Sequence, residues 1–312
     1  PYVPLGRLDS LEDPRLVRIG QYEDGITGRH DPAKVLTPFL EAYLTEPRRP
    51  RVAVWLSDSG SRSKLSQTLL EMVRGGVQDL ALDFTVFYGG VEALDASLTG
   101  GFPFAIRWLG AESTSEDRFR ELASGGAFDY TLLFESSGMY NGEDLASVAA
   151  PLAAGRLDAV WGSRRLSVRD IEASLRVRYR HTPGLRLAST LGSHLLSATY
   201  LLLYGRYISD TLSGVRAVRA GYLSLPHVRL GDKLLNQRLL SALLGGRAEI
   251  LETPVRFYAM SPVQVRRTSV ADGLQALGRT LAWRLRPSRL PPPVPQPPPA
   301  PPRDSDVARD LR

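Results

Sequence analysis

Asp210-Thr211-Leu212-Ser213-Gly214-Val215-Arg216 is the clearest part of a stretch, Phe128 to Tyr222, around which the chain is organised. Upstream of it, the apolar run Tyr130-Thr131-Leu132-Leu133-Phe134 delivers Glu135-Ser136-Ser137-Gly138 into a loop. A second run, Asp158-Ala159-Val160-Trp161, ends in Gly162-Ser163-Arg164. Compact apolar runs that end in small or polar residues read as strands of an open α/β sheet, whose binding crevice lies at the strand ends.

Working outward, Arg51-Val52-Ala53-Val54-Trp55-Leu56 predicts the first buried strand, with Ser57-Asp58-Ser59-Gly60-Ser61 as its loop. Leu65, Leu69, Leu70, Met72 and Val73 predict a helix stopped by Gly75-Gly76. Ala81 to Tyr88 is strand-like and closes on Gly89-Gly90, followed by a short helix through Leu94 and Leu98. Phe104 to Trp108 is a further strand and Glu116 to Ala123 a further helix. Strand and helix units alternating at this length imply an α/β fold with a mostly parallel sheet and helices on both faces.

Beyond Arg164 the pattern turns helical. Leu185 to Tyr204 carries eight apolar residues at helical spacing, suited to a core helix or to a helix lying on a membrane surface, and a core helix is expected. Leu234 to Leu244 predicts another helix, Ala248 to Leu251 a strand, and Val270 to Leu285 a last helix. Before the sheet, Asp31-Pro32 starts a helix with Val35, Leu36, Phe39, Leu40 and Tyr43 on one side. That segment reads as a packing arm, with a substrate lid as the other role. From Pro287 the chain is proline-rich and favours an extended polyproline II tail, a spacer or a docking site for a protein partner. The expected division is an arm over 1–50, the α/β domain over 51–286 and the tail over 287–312.

Of the 312 residues, 43% are hydrophobic and 23% charged, the balance of a soluble globular protein. There are no cysteines, which removes disulfide and thiolate chemistry and fits a reducing compartment. His30, His181, His194 and His227 are scattered without metal-site spacing, which argues against a zinc enzyme. The net charge of +6 is carried by arginine, since Lys34, Lys64 and Lys233 are the only lysines. Guanidinium groups suit phosphate, although arginine-rich codon usage gives the same excess. The arginines are spread along the chain and no nucleic-acid module is visible, so nucleic acid is not an expected partner. Pro1-Tyr2-Val3-Pro4 lacks the basic-then-apolar order of a signal peptide, and no apolar run approaches a membrane span. A cytoplasmic protein is expected, soluble or peripheral at a membrane surface.

The order of these elements resembles a family 2 glycosyltransferase of the GT-A fold, close to the dolichyl-phosphate mannosyltransferase group. The resemblance rests on Glu135-Ser136-Ser137-Gly138, Gly142-Glu143-Asp144-Leu145, Gly162-Ser163-Arg164, Asp210 to Arg216, and Glu252-Thr253-Pro254-Val255, in that order over about Arg51 to Arg286. It implies a nucleotide sugar as donor and Mg or Mn as cofactor, held by an Asp-x-Asp element against the donor diphosphate. On this chain that element supplies Glu135 as the metal ligand and Ser137 in place of the second acid. The resemblance assigns Ser57, Asp58, Glu135, Ser137, Arg164, Arg266 and Arg267 to the donor and its phosphates. It assigns Ser213, Gly214 and Arg216 to the acceptor side, and Asp210 as a candidate base. Asp144 is expected to cap the helix that follows it.

Four donor-side elements depart from the family pattern. Ser137 removes one charge from the metal site, and Met139 stands where glutamine is common. The first strand ends in Leu56-Ser57-Asp58-Ser59, and the second in Phe87-Tyr88-Gly89-Gly90 where an aspartate would grip the base. Apart from these, the acidic cluster that the resemblance leads one to expect near Leu234, on the acceptor side, reads Asn236-Gln237-Arg238. Two function classes follow: a divergent glycosyltransferase with weak or lost metal-dependent transfer, or one that stays active through Glu135 and its arginines. A non-catalytic binding subunit docked by its tail is the alternative outside enzymes. A nucleotidyltransferase using Ser59 to Lys64 as a phosphate loop comes last.

Overall fold

A computed structural model of the protein describes residues 49–57, 60–90, 92–110, 112–166, 176, 180, 183–226, 228–258 and 270–285. The arm helix expected from Asp31, the proline-rich tail, Asp58, Arg266 and Arg267 lie outside the described residues.

Seven strands form one sheet: β1 (Arg51–Ser57), β2 (Asp83–Tyr88), β3 (Ala105–Trp108), β4 (Tyr130–Glu135), β5 (Ala159–Ser163), β6 (Val215–Arg219) and β7 (Ile250–Pro254). Their order is β3-β2-β1-β4-β6-β5-β7. The β1–β2, β2–β3, β1–β4 and β5–β7 pairs are parallel. Only β6 is reversed, running antiparallel to both β4 and β5. The sheet is therefore mostly parallel, as the alternating pattern implies.

Strands covered on both faces read as continuous apolar runs, and the five interior residues of β1 are all buried. Alternation along each strand sorts the side chains into two cores. One face holds Val52, Val54, Leu56, Tyr88, Phe134, Tyr140 and Val215 beneath α1 (Arg62–Arg74) and α3 (Asp144–Ala149). The other holds Ala53, Trp55, Phe87, Leu133 and Trp161 beneath α2 (Glu112–Leu122), one end of α4 (Pro183–Tyr204) and α5 (Leu235–Gly245). α6 (Val270–Leu285) packs on α4 and α5.

Helix α1 begins as the sequence predicts. The Ser61 hydroxyl accepts the Lys64 N–H at its N-terminus, so this part of the Ser59–Lys64 segment is a helix cap. Its end passes through Gly76 at φ 77°, a left-handed conformation that glycine adopts without strain.

Two expectations need correction. Of the described side chains on α4, Leu196, Ser197 and Tyr200 are buried, whereas Leu187, Leu191, Leu195, Leu201 and Leu202 are exposed. The helix is thus not a core helix along its length, since five of its leucines face solvent. Asp144 stands in the first turn of α3 but does not cap it. Its carboxylate accepts the Arg256 N–H at 2.6 Å and Arg256 Nε at 2.9 Å, tying the end of β7 to the helix. No helix among the described residues is long and apolar enough to cross a membrane.

Candidate active site at the β1–β4 switch point

The chain leaves β1 for β2 and β3 on one side, then returns to place β4 on the other. The strand order reverses between β1 and β4, which is where open α/β sheets form their crevice. Ser57 and Glu135 end these two strands as register partners. Because β6 runs the other way, its first residues arrive at the same edge, with Val215 beside Phe134 and Arg216 beside Leu133.

A cavity of about 120 Å³ opens there, lined by Trp55, Ser57, Leu133, Phe134, Glu135, Gly214, Arg216, Leu230 and Leu235. A second, of about 220 Å³, adjoins it through Trp55, Ser57 and Leu230 and extends over Gly89, Ser115, Glu116, Asp232 and Lys233. Tyr88 and Met139 do not fill this space. Both belong to the core on the opposite face, and Tyr88 Oη accepts the Leu94 N–H at 2.7 Å.

The loop after β4 is shaped by short local bonds. Ser136 donates from both its N–H and its hydroxyl to the Ser57 carbonyl, each at 2.7 Å. The Ser137 hydroxyl donates to Glu135 Oε1 at 2.8 Å and accepts the Met139 N–H at 3.3 Å. Glu135 N–H donates to the Gly214 carbonyl, and Gly214 N–H to Tyr140 Oη at 2.8 Å. Burial pushes the Tyr140 phenol up to about 12, so it stays a neutral acceptor here. A β-carbon on Gly214 would lie 2.6 Å from Glu135 Oε2 and 2.8 Å from the Tyr140 ring. Gly214 is therefore a point of close approach between β6 and the Glu135 loop.

Arg164 and Asp210 come together, but on each other. Asp210 accepts Arg164 Nε at 2.6 Å, Nη2 at 2.8 Å and the Arg164 N–H at 3.0 Å, and also the Leu212 N–H at 3.2 Å. Burial alone would raise the Asp210 carboxyl, yet the Arg164 guanidinium overcomes it and holds the group below its ordinary value. Burial also opposes charge on Arg164, and the same partner keeps it firmly protonated. Both oxygens of Asp210 are thus occupied, which leaves it poorly placed to take a proton.

Three of the sequence motifs meet around this pair. Trp161 Nε1 donates to the Asp210 carbonyl at 2.8 Å. Ser163 shares a 2.6 Å bond with Ser209, and Ser209 donates from its hydroxyl to Glu252 at 2.6 Å. A β-carbon on Gly162 would sit 2.8 Å from the Val215 carbonyl. The Gly162-Ser163-Arg164, Asp210 to Arg216 and Glu252 to Val255 motifs are therefore one knot that fixes the start of β6.

Arg216 differs from the other arginines of this region. It is 9% exposed, and its Nη1 donates to the Ser213 carbonyl at 3.1 Å, while Nε has no partner among the described residues. Arg164, Arg219 and Arg256 each pair with a carboxylate; among the described residues Arg216 forms no ion pair. Burial pushes its guanidinium down to about 10, offset in part by Tyr140 and Glu135. Asn236 donates to the Ser213 carbonyl at 2.8 Å and so supports the same turn.

The structure thus brings together Ser57, Glu135, Gly214 and Arg216 in one cavity, with Ser137 on the adjacent loop and Ser213 buried behind it. It adds Trp55, which the sequence reading used only as part of a strand. Its spacing of two from Ser57 is the signal that both share a face. Among the described residues, no three His, Asp or Glu side chains converge to hold a metal ion. Among the described residues, Glu135 is the one carboxylate that lines the smaller cavity. One carboxylate and a neutral hydroxyl bonded to it form a poor set for a hard divalent cation, which prefers several oxygen ligands with anionic character.

No protein-family model matches the sequence. No curated protein matches it either. Among solved structures, the chain is similar to glucosyl-3-phosphoglycerate synthase from Mycobacterium tuberculosis in complex with UDP, at 15% identity over 83% of this chain and 88% of that one, TM-score 0.47. It is similar to the mannosyltransferase PcManGT from Pyrobaculum calidifontis in complex with GDP-Man and Mn2+, at 15% identity over 83% and 73%, TM-score 0.40. Mannosyl-3-phosphoglycerate synthase from Rubrobacter xylanophilus is similar at 12% identity over 78% and 80%, TM-score 0.39.

Proposed function

We propose that the chain is a divergent glycosyltransferase of the GT-A type, with weak or lost metal-dependent transfer from a nucleotide sugar. The observation that carries this reading is the crevice at the β1–β4 switch point, which stays open over Ser57 and Glu135 while its smaller cavity offers, among the described residues, a single carboxylate. An open crevice keeps a place for a ligand. A single carboxylate, bonded by its own neighbour Ser137, gives a metal little to hold.

In this reading Ser57, Glu135 and Ser137 line the donor side, and Ser213, Gly214 and Arg216 the acceptor side. Asp58, Arg266 and Arg267 belong to the donor phosphates by resemblance. Arg164 and Asp210 brace the start of β6 and position Gly214 and Arg216 without contacting substrate. A bound Mg or Mn would neutralise the departing diphosphate; the described residues do not supply the set that would hold it. The alternative of an enzyme active through Glu135 and its arginines is favoured by one observation, the buried Arg216 with no ion-pair partner among the described residues.

The test is nucleotide release from UDP-glucose and GDP-mannose, assayed with Mn2+ and with a chelator. We expect turnover that is slow or absent and that changes less than about twofold with Mn2+. Stimulation of about a hundredfold or more, lost in Glu135→Ala, would contradict this reading, because metal stabilisation of the leaving group supplies several kcal/mol.

A further inference from the structure

We propose that the solvent-facing leucine stripes of α4 and α6 form one docking surface for an anionic lipid bilayer, on which the two helices lie without crossing it.

On each helix the leucines stand on the side away from the buried edge. At about 100° per residue, Leu187, Leu191, Leu195 and Leu202 of α4 fall within about 80° of arc, roughly opposite the buried Leu196 and Tyr200. Leu274, Leu281 and Leu285 of α6 fall within about 40°, roughly opposite the buried Ala276 and Thr280. A helix that rests on a core and faces water carries polar residues at these positions. Here Leu202 and Leu285 are 84% and 74% exposed, the highest values among the described large apolar side chains.

The two stripes are joined at one end. Arg284 Nε donates to the Leu203 carbonyl at 2.8 Å, and its guanidinium lies 5.4 Å from the centre of the Tyr204 ring. These contacts fasten the last turn of α6 to the last turn of α4, with Leu285 and Leu202 as the adjoining residues in sequence. Apolar side chains scattered singly over a surface need no explanation, whereas two stripes on packed helices mark an interaction surface.

Charge decides what covers it. Residues 173–209 and 273–289, which contain the two stripes, hold nine arginines and no aspartate or glutamate. The rest of the chain holds 30 lysines and arginines against 33 acids, so the positive charge of the protein is concentrated in these two stretches. Arg186 adjoins Leu187, and Arg286 adjoins Leu285. Leucines flanked by arginines match the boundary between acyl chains and acidic headgroups, where the leucines leave water and the guanidinium groups meet lipid phosphate. A second copy of the chain on the same face would bring two sets of arginines together, and like charges oppose that pairing. No helix among the described residues is long and apolar enough to cross a membrane, so α4 and α6 lie on the bilayer. This surface is independent of the crevice and of what binds there.

The experiment is flotation of the full chain with vesicles of phosphatidylcholine alone and of phosphatidylcholine with phosphatidylglycerol at about 30%. The chain is expected to bind the anionic vesicles at least about tenfold more strongly than the neutral ones, and to lose most of that preference in about 0.5 M NaCl. The double variant Leu191→Gln with Leu202→Gln should bind anionic vesicles at least about tenfold more weakly, since two leucines no longer enter the acyl boundary. Both positions are exposed, so its melting temperature should stay within about 2 °C of the wild type, which separates lost binding from lost folding. Leu70→Gln, at a similarly exposed leucine on α1, should bind as the wild type does.

The proposal is overturned if the chain binds neither kind of vesicle, or binds both equally. Unchanged vesicle binding by the folded double variant overturns it as well. Sedimentation velocity without vesicles tests the other occupant: the chain is expected to sediment alike with and without the two substitutions. A dimer that the double variant dissociates would overturn the proposal and give this face to a second copy of the chain.

Discussion

Asp210→Asn is expected to cost about 3–5 kcal/mol of folding stability, the largest loss we foresee for a polar substitution in this chain. The substitution leaves Arg164, with its side chain only 16% exposed, without its counter-charge while the surrounding core stays closed. Urea unfolding of the variant against the wild type measures it. The double variant Arg164→Met with Asp210→Leu should lose much less than the two single losses added together, because no buried charge is stranded.

The pH dependence of the Asp210→Asn loss follows from the sign of the shift. The folded-state pKa of Asp210 lies below its ordinary value of 3.8, so the unfolded chain binds a proton more readily than the folded one. The stabilisation from the pair is therefore fully present above about pH 3.8 and is lost as pH falls through the folded value. The difference between wild type and Asp210→Asn should be constant near neutrality and shrink only in acid. A difference that grows on acidification would contradict the assignment.

The second large effect is expected at Trp161. This residue is fully buried in β5, stacks its ring beneath the Arg216 guanidinium at 6.0 Å, and donates to the Asp210 carbonyl. Trp161→Ala should cost about 3–5 kcal/mol from the lost transfer energy and the cavity left behind. Trp161→Phe keeps most of the apolar volume and should cost far less, with the lost indole bond worth about 1 kcal/mol. Denaturant midpoints of both variants check this. Near-equal losses would mean that the hydrogen bond to Asp210, and not packing, dominates at this position.

Much of the fold is legible because the sheet is built from local signals. The apolar runs at Val52 to Leu56 and Tyr130 to Phe134 become the two strands flanking the switch point, since strands covered on both faces must be apolar throughout. Ser61 and Gly76 bracket α1 through cap and left-handed geometry, which are also properties of single residues. The motif order from Glu135 to Val255 points to a crevice, and the structure places one beside Glu135.

What the sequence could not show depends on long-range pairing. Arg164 looked available for phosphate, but a carboxylate 46 residues away takes its Nε and Nη2. Asp144 looked like a cap, but Arg256 arrives from the end of β7. The leucines of α4 have the periodicity of a buried helix, and periodicity does not reveal that Leu187, Leu191, Leu195, Leu201 and Leu202 stay exposed. Trp55 is the reverse case: a strand residue by pattern, whose buried N–H has no acceptor among the described residues, which only the three-dimensional structure shows.

The most direct test of the central claim is calorimetric titration of the full chain with UDP-glucose and with GDP-mannose, with and without Mn2+. An open crevice whose described residues place one carboxylate at the β1–β4 switch point predicts an affinity that changes less than about threefold with the metal, and a Glu135→Ala variant that responds no differently. A micromolar affinity that appears only with Mn2+ and vanishes in Glu135→Ala would contradict the account.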